Sequence, residues 1–106
     1  MHVGRVTHLP DALRHVEATI RRLALDSANV FMTKHAVKRL VERNLTMTQV
    51  YRCLQNGALI DGPTLDSEQQ QGWKFSMEIL SSGDWVKVVC KLIETNDSCI
   101  LVITVI

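Results

Sequence analysis

The chain lacks any apolar run of about 18 residues, so no segment reads as a membrane-crossing helix. It lacks an excess of one charge: 12 Lys and Arg stand against 11 Asp and Glu, a formal net charge of +1. That balance excludes a globally basic nucleic-acid coat, so any phosphate site must be local. Cysteine is sparse and odd in number. Cys53, Cys90 and Cys99 include no C-x-x-C pair and read as reduced, buried thiols of a cytosolic protein. His2, His8 and His15 stand at no tight ligand spacing and have no nearby Cys, so neither zinc nor any other metal is expected. A Gly-rich phosphate loop, G-x-S-x-G and H-E-x-x-H are all missing, which leaves nucleotide hydrolysis and the common hydrolase chemistries unsupported. No cofactor is expected. The first residues carry no long apolar segment of a signal peptide, and a cytoplasmic location is the expectation.

What is present suits one domain spanning residues 1–106. The chain has 106 residues, and 46% of them are hydrophobic, enough for a true core and too many for a disordered chain.

Pro10 to Leu25 predicts a first helix, with Leu13, Val16, Ile20, Leu23 and Ala24 at helical spacing and Asp11 near its positive end. Asp26-Ser27-Ala28-Asn29 breaks it. Val30-Phe31-Met32 is a very short strand or an apolar lead-in. Thr33 suits an N-cap for a second helix over about 34–44, with Asn44 as its stop. Thr46-Met47-Thr48-Gln49 matches a capping box that opens a third helix, closed by Asn56-Gly57.

After Gly57 the period changes to that of strands. Ala58-Leu59-Ile60 reads as a short strand ended by Gly62-Pro63, and Leu65 to Gly72 as an exposed polar loop. Trp73, Phe75, Met77 and Ile79 alternate with Lys74, Ser76 and Glu78. Trp85 to Glu94 and Cys99 to Ile106 follow, each after a tight turn. The expected fold class is α+β: N-terminal helices packed on a four-stranded, mainly antiparallel sheet. The last strand is so apolar that it is expected inside the sheet and covered on both faces. At an edge it would invite pairing with a second copy.

Turn positions suggest a register. Leu80 opposite Trp85 places Glu78 opposite Lys87 and Lys74 opposite Lys91. Thr95 opposite Ser98 places Lys91 opposite Val102 and Lys87 opposite Ile106. One face then carries Val86, Val88, Cys90, Leu92, Leu101, Ile103 and Val105, and the other carries the lysines. A slip of one residue would exchange the faces.

The densest chemistry lies in Lys34-His35-Ala36-Val37-Lys38-Arg39-Leu40-Val41-Glu42-Arg43. On a helix, His35, Arg39 and Arg43 stand at i, i+4 and i+8 in a stripe about 80° wide. Ala36, Val37, Leu40 and Val41 gather on the other side as the expected core face. Arg offers bidentate bonds to phosphate, and His35 could move a proton near neutral pH. The same stripe also fits a solvated face paired with Glu42 and Glu17, or an Arg buttressing the sheet. Lys87 and Lys91 could stabilise a phosphorane, or simply sit opposite Glu78. Tyr51 and Trp85 could stack on bases or fill the core and edges.

His35-Ala36, Arg39, Arg43, Gly57 and the terminal Val102-Ile103-Thr104-Val105, taken in order over residues 30–106, resemble the bacterial domain-of-unknown-function family 4258. The resemblance implies kinship with the RelE, ParE and BrnT toxins, whose fold packs N-terminal helices on a four-stranded antiparallel sheet. It also implies, for some members, metal-independent RNA cleavage by His, Arg, Lys, Tyr or Glu side chains. Residues 1–29 form a helical extension outside this likeness. Asn44 replaces a common Gly, and the last two strands offer only Lys87 and Lys91 where many such nucleases carry His, Arg or Tyr.

Two functions follow as expectations. One is a toxin-like, metal-independent ribonuclease or RNA-binding protein. RNA would lie across the sheet and the end of the second helix, with His35, Arg39, Arg43, Lys87 and Lys91 as the catalytic set and a cognate antitoxin as partner. The other is a non-catalytic accessory, inhibitor or regulatory domain that grips a protein.

Overall fold

In the computed structural model, which describes residues 14–66 and 72–106, the helix ends fall where their caps stand. Residues 14–23 are helical (α1); the expected start at Pro10 and Asp11 lies outside the described residues. A 3₁₀ turn, Ser27–Asn29, follows, with the Asp26 carboxylate accepting from the Ala28 N–H. Helix α2 spans Lys34–Arg43. Thr33 caps its start by accepting from the Ala36 N–H, and Asn44 ends it in the left-handed conformation at φ 55°. The Leu45 N–H then reaches back to the Leu40 carbonyl at 2.9 Å, a Schellman-type closure. Helix α3 spans Met47–Asn56, and the Thr46–Gln49 capping box is fully formed.

The strands are β1 (Val30–Met32), β2 (Ala58–Asp66), β3 (Gly72–Ser81), β4 (Asp84–Ile93) and β5 (Cys99–Val105). They form a five-stranded mixed sheet in the order β1-β5-β4-β3-β2. Four strands were expected. The fifth is the Val30-Phe31-Met32 segment, which pairs in parallel with Ile100-Leu101-Val102. The pairings β2–β3, β3–β4 and β4–β5 are antiparallel.

The β3–β4 hairpin has the expected register, with Leu80 opposite Trp85, Glu78 opposite Lys87 and Lys74 opposite Lys91. The β4–β5 register differs next to the turn and returns to the expected one beyond a bulge, where the Ile106 N–H donates to the Lys87 carbonyl. It begins with Ile93 opposite Cys99, so Lys91 faces Leu101 rather than Val102. A bulge then leaves Ile103 as the extra residue, and beyond it Val89 faces Thr104 and Val88 faces Val105. The bulge redistributes β5 between the faces. Ile100, Val102 and Val105 are buried, whereas Leu101 and Ile103, expected in the core, are half-buried on the other face. The last strand therefore lies inside the sheet but is sealed on one face only.

β2 also departs from expectation. It does not stop at Gly62-Pro63 but runs through it to Asp66, with irregularities between Leu59 and Asp61 and between Asp61 and Thr64. Leu65 and Gly72 belong to strands rather than to a loop.

A single buried cluster joins the helices to one sheet face. It includes Val16 and Ile20 of α1, Ala36 and Leu40 of α2, Val50 and Leu54 of α3, and Phe75, Met77, Val86 and Val88 of the sheet. α1 is thus part of the core. Its Arg21 donates to the carbonyls of Gln55 and Gly57, both at 2.8 Å, and the Gln55 side chain donates back to the Ala24 carbonyl at 2.9 Å. A cation against the last carbonyls of α3 also complements that helix's dipole. Gly57 lets α3 end directly on β3. A Cβ there would stand 2.6 Å from the Glu78 carbonyl oxygen.

Candidate functional site

Helix α2 lies along β5 and touches β1. His35 and Arg43 are exposed on it, but Arg39 is half-buried. Arg39 Nε donates to the Val105 carbonyl at 3.0 Å, and Nη1 reaches Glu42 Oε1 at 3.3 Å. The middle of the stripe is therefore engaged with the protein itself. Val37 and Val41, expected in the core, are 49% and 76% exposed. Only Ala36 and Leu40 of α2 are buried, so its covered stripe is narrower than expected.

Lys87 and Lys91 stand on the sheet face opposite the core, half-buried on β4. Val86, Val88, Cys90 and Leu92 alternate with them and point into the core. The five candidate residues thus fall into two groups, an α2 stripe and an outer-sheet pair, on different elements.

The outer face holds a cavity of about 440 Å³. Asp61, Gly62 and Thr64 of β2, Lys74 and Ser76 of β3, and Lys87 and Val89 of β4 line it. No α2 residue does, and neither does Lys91. The bulged β2 makes the space, because extra residues on one strand bend it away from its partner. Gly62 is required at that bend. Its φ is +80°, and a Cβ would stand 2.4 Å from the Lys74 carbonyl oxygen. The Gly62-Pro63 peptide bond is cis.

Lys87 lies opposite Glu78 in the register without forming an ion pair. Among the described residues the ion pairs are Arg21–Glu17 and Arg39–Glu42. The ammonium groups of Lys74 and Lys87 therefore have no carboxylate partner among the described residues. Ser76 forms part of the cavity wall although it is only 5% exposed. Two cations and two hydroxyls around one recess can hold anionic oxygens, and Asp61 adds an acceptor for a hydroxyl. Asp61, Thr64, Lys74 and Ser76 were not singled out as site residues in the sequence. The available signal was the Lys74/Ser76/Glu78 alternation, which puts these side chains on the face of Lys87.

Two of the three thiols, Cys53 and Cys90, supply no nucleophile. Burial, aided by the Glu78 carboxylate, pushes Cys53 up to about 12, and burial raises Cys90 strongly as well. Neither is a thiolate near neutral pH. Tyr51 packs against the core. Among the described residues no group of three or more His, Cys, Asp or Glu is placed to hold a metal ion, and no helix is long and apolar enough to cross a membrane.

Comparison with curated proteins and with solved structures gives no significant match. A family profile, Domain of unknown function (DUF4258), matches residues 32–106, which begin at the end of β1 and run through β5. The chain belongs to the DUF4258 family.

Proposed function

We propose that this chain is an RNA-binding domain of the RelE-like, toxin-related type. It holds the sugar–phosphate backbone of RNA on the open face of its sheet, without a metal ion. The observation that carries this reading is the pair Lys74 and Lys87. Both line one cavity with the hydroxyls of Thr64 and Ser76, and neither has a carboxylate partner among the described residues. Two lysines without a carboxylate partner among the described residues fit the local kind of phosphate site, the only kind compatible with a net charge of +1. Asp61 lines the same recess, and its carboxylate would accept from a ribose hydroxyl. His35 lies on a helix that adds nothing to the cavity wall, so the weight falls on binding rather than on cleavage.

Fluorescence anisotropy with a labelled single-stranded RNA tests the reading. Affinity should fall steeply between about 50 and 200 mM salt. Lys74→Ala and Lys87→Ala should each weaken binding and flatten the salt slope by about 0.7, the value for one lost phosphate contact on a single strand. Chelator should change nothing. Absence of binding at low salt, or lysine variants that bind like the wild type, would overturn it.

A further inference from the structure

Trp85 is 58% exposed, and so is its cross-strand neighbour Leu80 at 56%. An indole so open at the start of a strand is poorly used if its task is packing. Trp85 and Lys87 are two apart on β4, so they share the outer face and stand roughly 7 Å apart along the strand. Trp85 does not line the cavity itself, but it stands one outer-face position along β4 from Lys87, which does. The other tryptophan, Trp73, is differently placed: half-buried, packed on the core, its Nε1 donating to Glu94 at 2.9 Å.

We infer that Trp85 is the specificity-determining residue of this face, a platform on which one unpaired base stacks while the adjoining phosphate sits between Lys74 and Lys87. This inference rests on the RNA-binding reading above and adds to it a substrate class, single-stranded rather than duplex RNA. A base can lie flat on an exposed indole only when it has left its own stack. The separation of Trp85 from Lys87 suits a base and its own phosphate, which are joined through one ribose. Leu80 borders the ring on β3 and extends the apolar floor under the base.

The test uses the full chain carrying Trp73→Phe, which leaves Trp85 as the sole tryptophan. Titration with a single-stranded oligoadenylate should quench its emission. A duplex of equal length and inorganic polyphosphate should leave the emission unchanged. Trp85→Ala should weaken oligoadenylate binding about 5- to 150-fold, the equivalent of about 1–3 kcal/mol per stacked base, and Trp85→Phe should restore most of it. Polyphosphate affinity should respond to Lys87→Ala and not to Trp85→Ala. If oligoadenylate binds in a Lys87-dependent way without quenching and Trp85→Ala is silent, the platform is refuted and the phosphate-binding face stands. If no oligonucleotide binds at all, both are refuted.

Discussion

The hydroxyl of Thr33 donates to the carbonyl of Ile103 at 2.8 Å while accepting from the Ala36 N–H at 3.0 Å. One side chain thus caps α2 and ties it to the bulge of β5. The Thr33 N–H reaches the next carbonyl back, Val102, at 3.1 Å. The edge of β5 that β1 is too short to pair is therefore closed by the start of α2, and Arg39 continues the seal at Val105. Thr33→Val should lose both hydroxyl bonds, lowering the unfolding free energy by about 2 kcal/mol. Thr33→Ser should lose far less. Urea denaturation of the two variants checks the difference, and equal losses would show that the hydroxyl is immaterial.

Arg39 and Arg43 share a helical stripe but should behave differently. Arg39→Ala frees the Val105 carbonyl and should cost about 1–2 kcal/mol of stability, with the lower end favoured by the partial exposure of the side chain. Arg43→Ala, on an exposed residue, should change stability by less than about 0.5 kcal/mol. Neither should reduce RNA affinity as much as Lys87→Ala. Thermal melts and anisotropy on the same samples separate the two effects, and an RNA-binding loss confined to the arginine variants would move the site to α2.

Thiol reactivity should follow burial. At mildly alkaline pH a disulfide reagent should label Cys99 readily, whereas Cys53 and Cys90 should react only as fast as the protein unfolds. The pH dependence of stability has a definite sign. In the unfolded chain Cys53 loses its proton near 9, but in the fold it keeps it to about 12. Between those values the unfolded state binds fewer protons, so stability is intact below about pH 9 and falls as pH rises toward 12. Denaturation curves across that window should slope less steeply in Cys53→Ala. An unchanged slope would show that this thiol does not contribute.

Gly62 should be intolerant of any side chain. Gly62→Ala meets both a positive φ and the Lys74 carbonyl oxygen at 2.4 Å, so it should lower stability by about 1–3 kcal/mol and disturb the cavity. Gly83, also at positive φ but with open space around it, should show the strain without the clash. A calorimetric comparison of the two alanine variants checks this, and a milder effect at Gly62 than at Gly83 would contradict it.

Features with local causes were readable in the linear chain. The Thr33 and Asn44 caps, the Thr46–Gln49 box and the Leu80–Trp85 hairpin each depend on residues within about five positions, so short patterns suffice to place them. The hairpin register in turn put Lys74, Lys87 and Lys91 on one face, which made the two lysines of the cavity visible, though only Lys87 was named as a site residue. The α2 stripe was visible as well, but not that Arg39 would be drawn to Val105, 66 residues away.

Folding in three dimensions decided the remainder. Parallel pairing of β1 with β5 needs a partner 70 residues distant, and a three-residue strand has no pattern of its own to announce it. The bulge at Ile103 moved Leu101 out of the core and Val102 into it, because side-chain alternation has period two and one extra residue inverts it. Gly62-Pro63, a stop by local rules, sits inside β2 because an edge strand tolerates bulges and a missing N–H. That tolerance bends β2 and opens the recess in which Asp61 and Thr64 meet Lys74, Ser76 and Lys87. Local propensity supplied the helices and one hairpin. The cavity arose from non-local pairing, which no short stretch of this chain encodes.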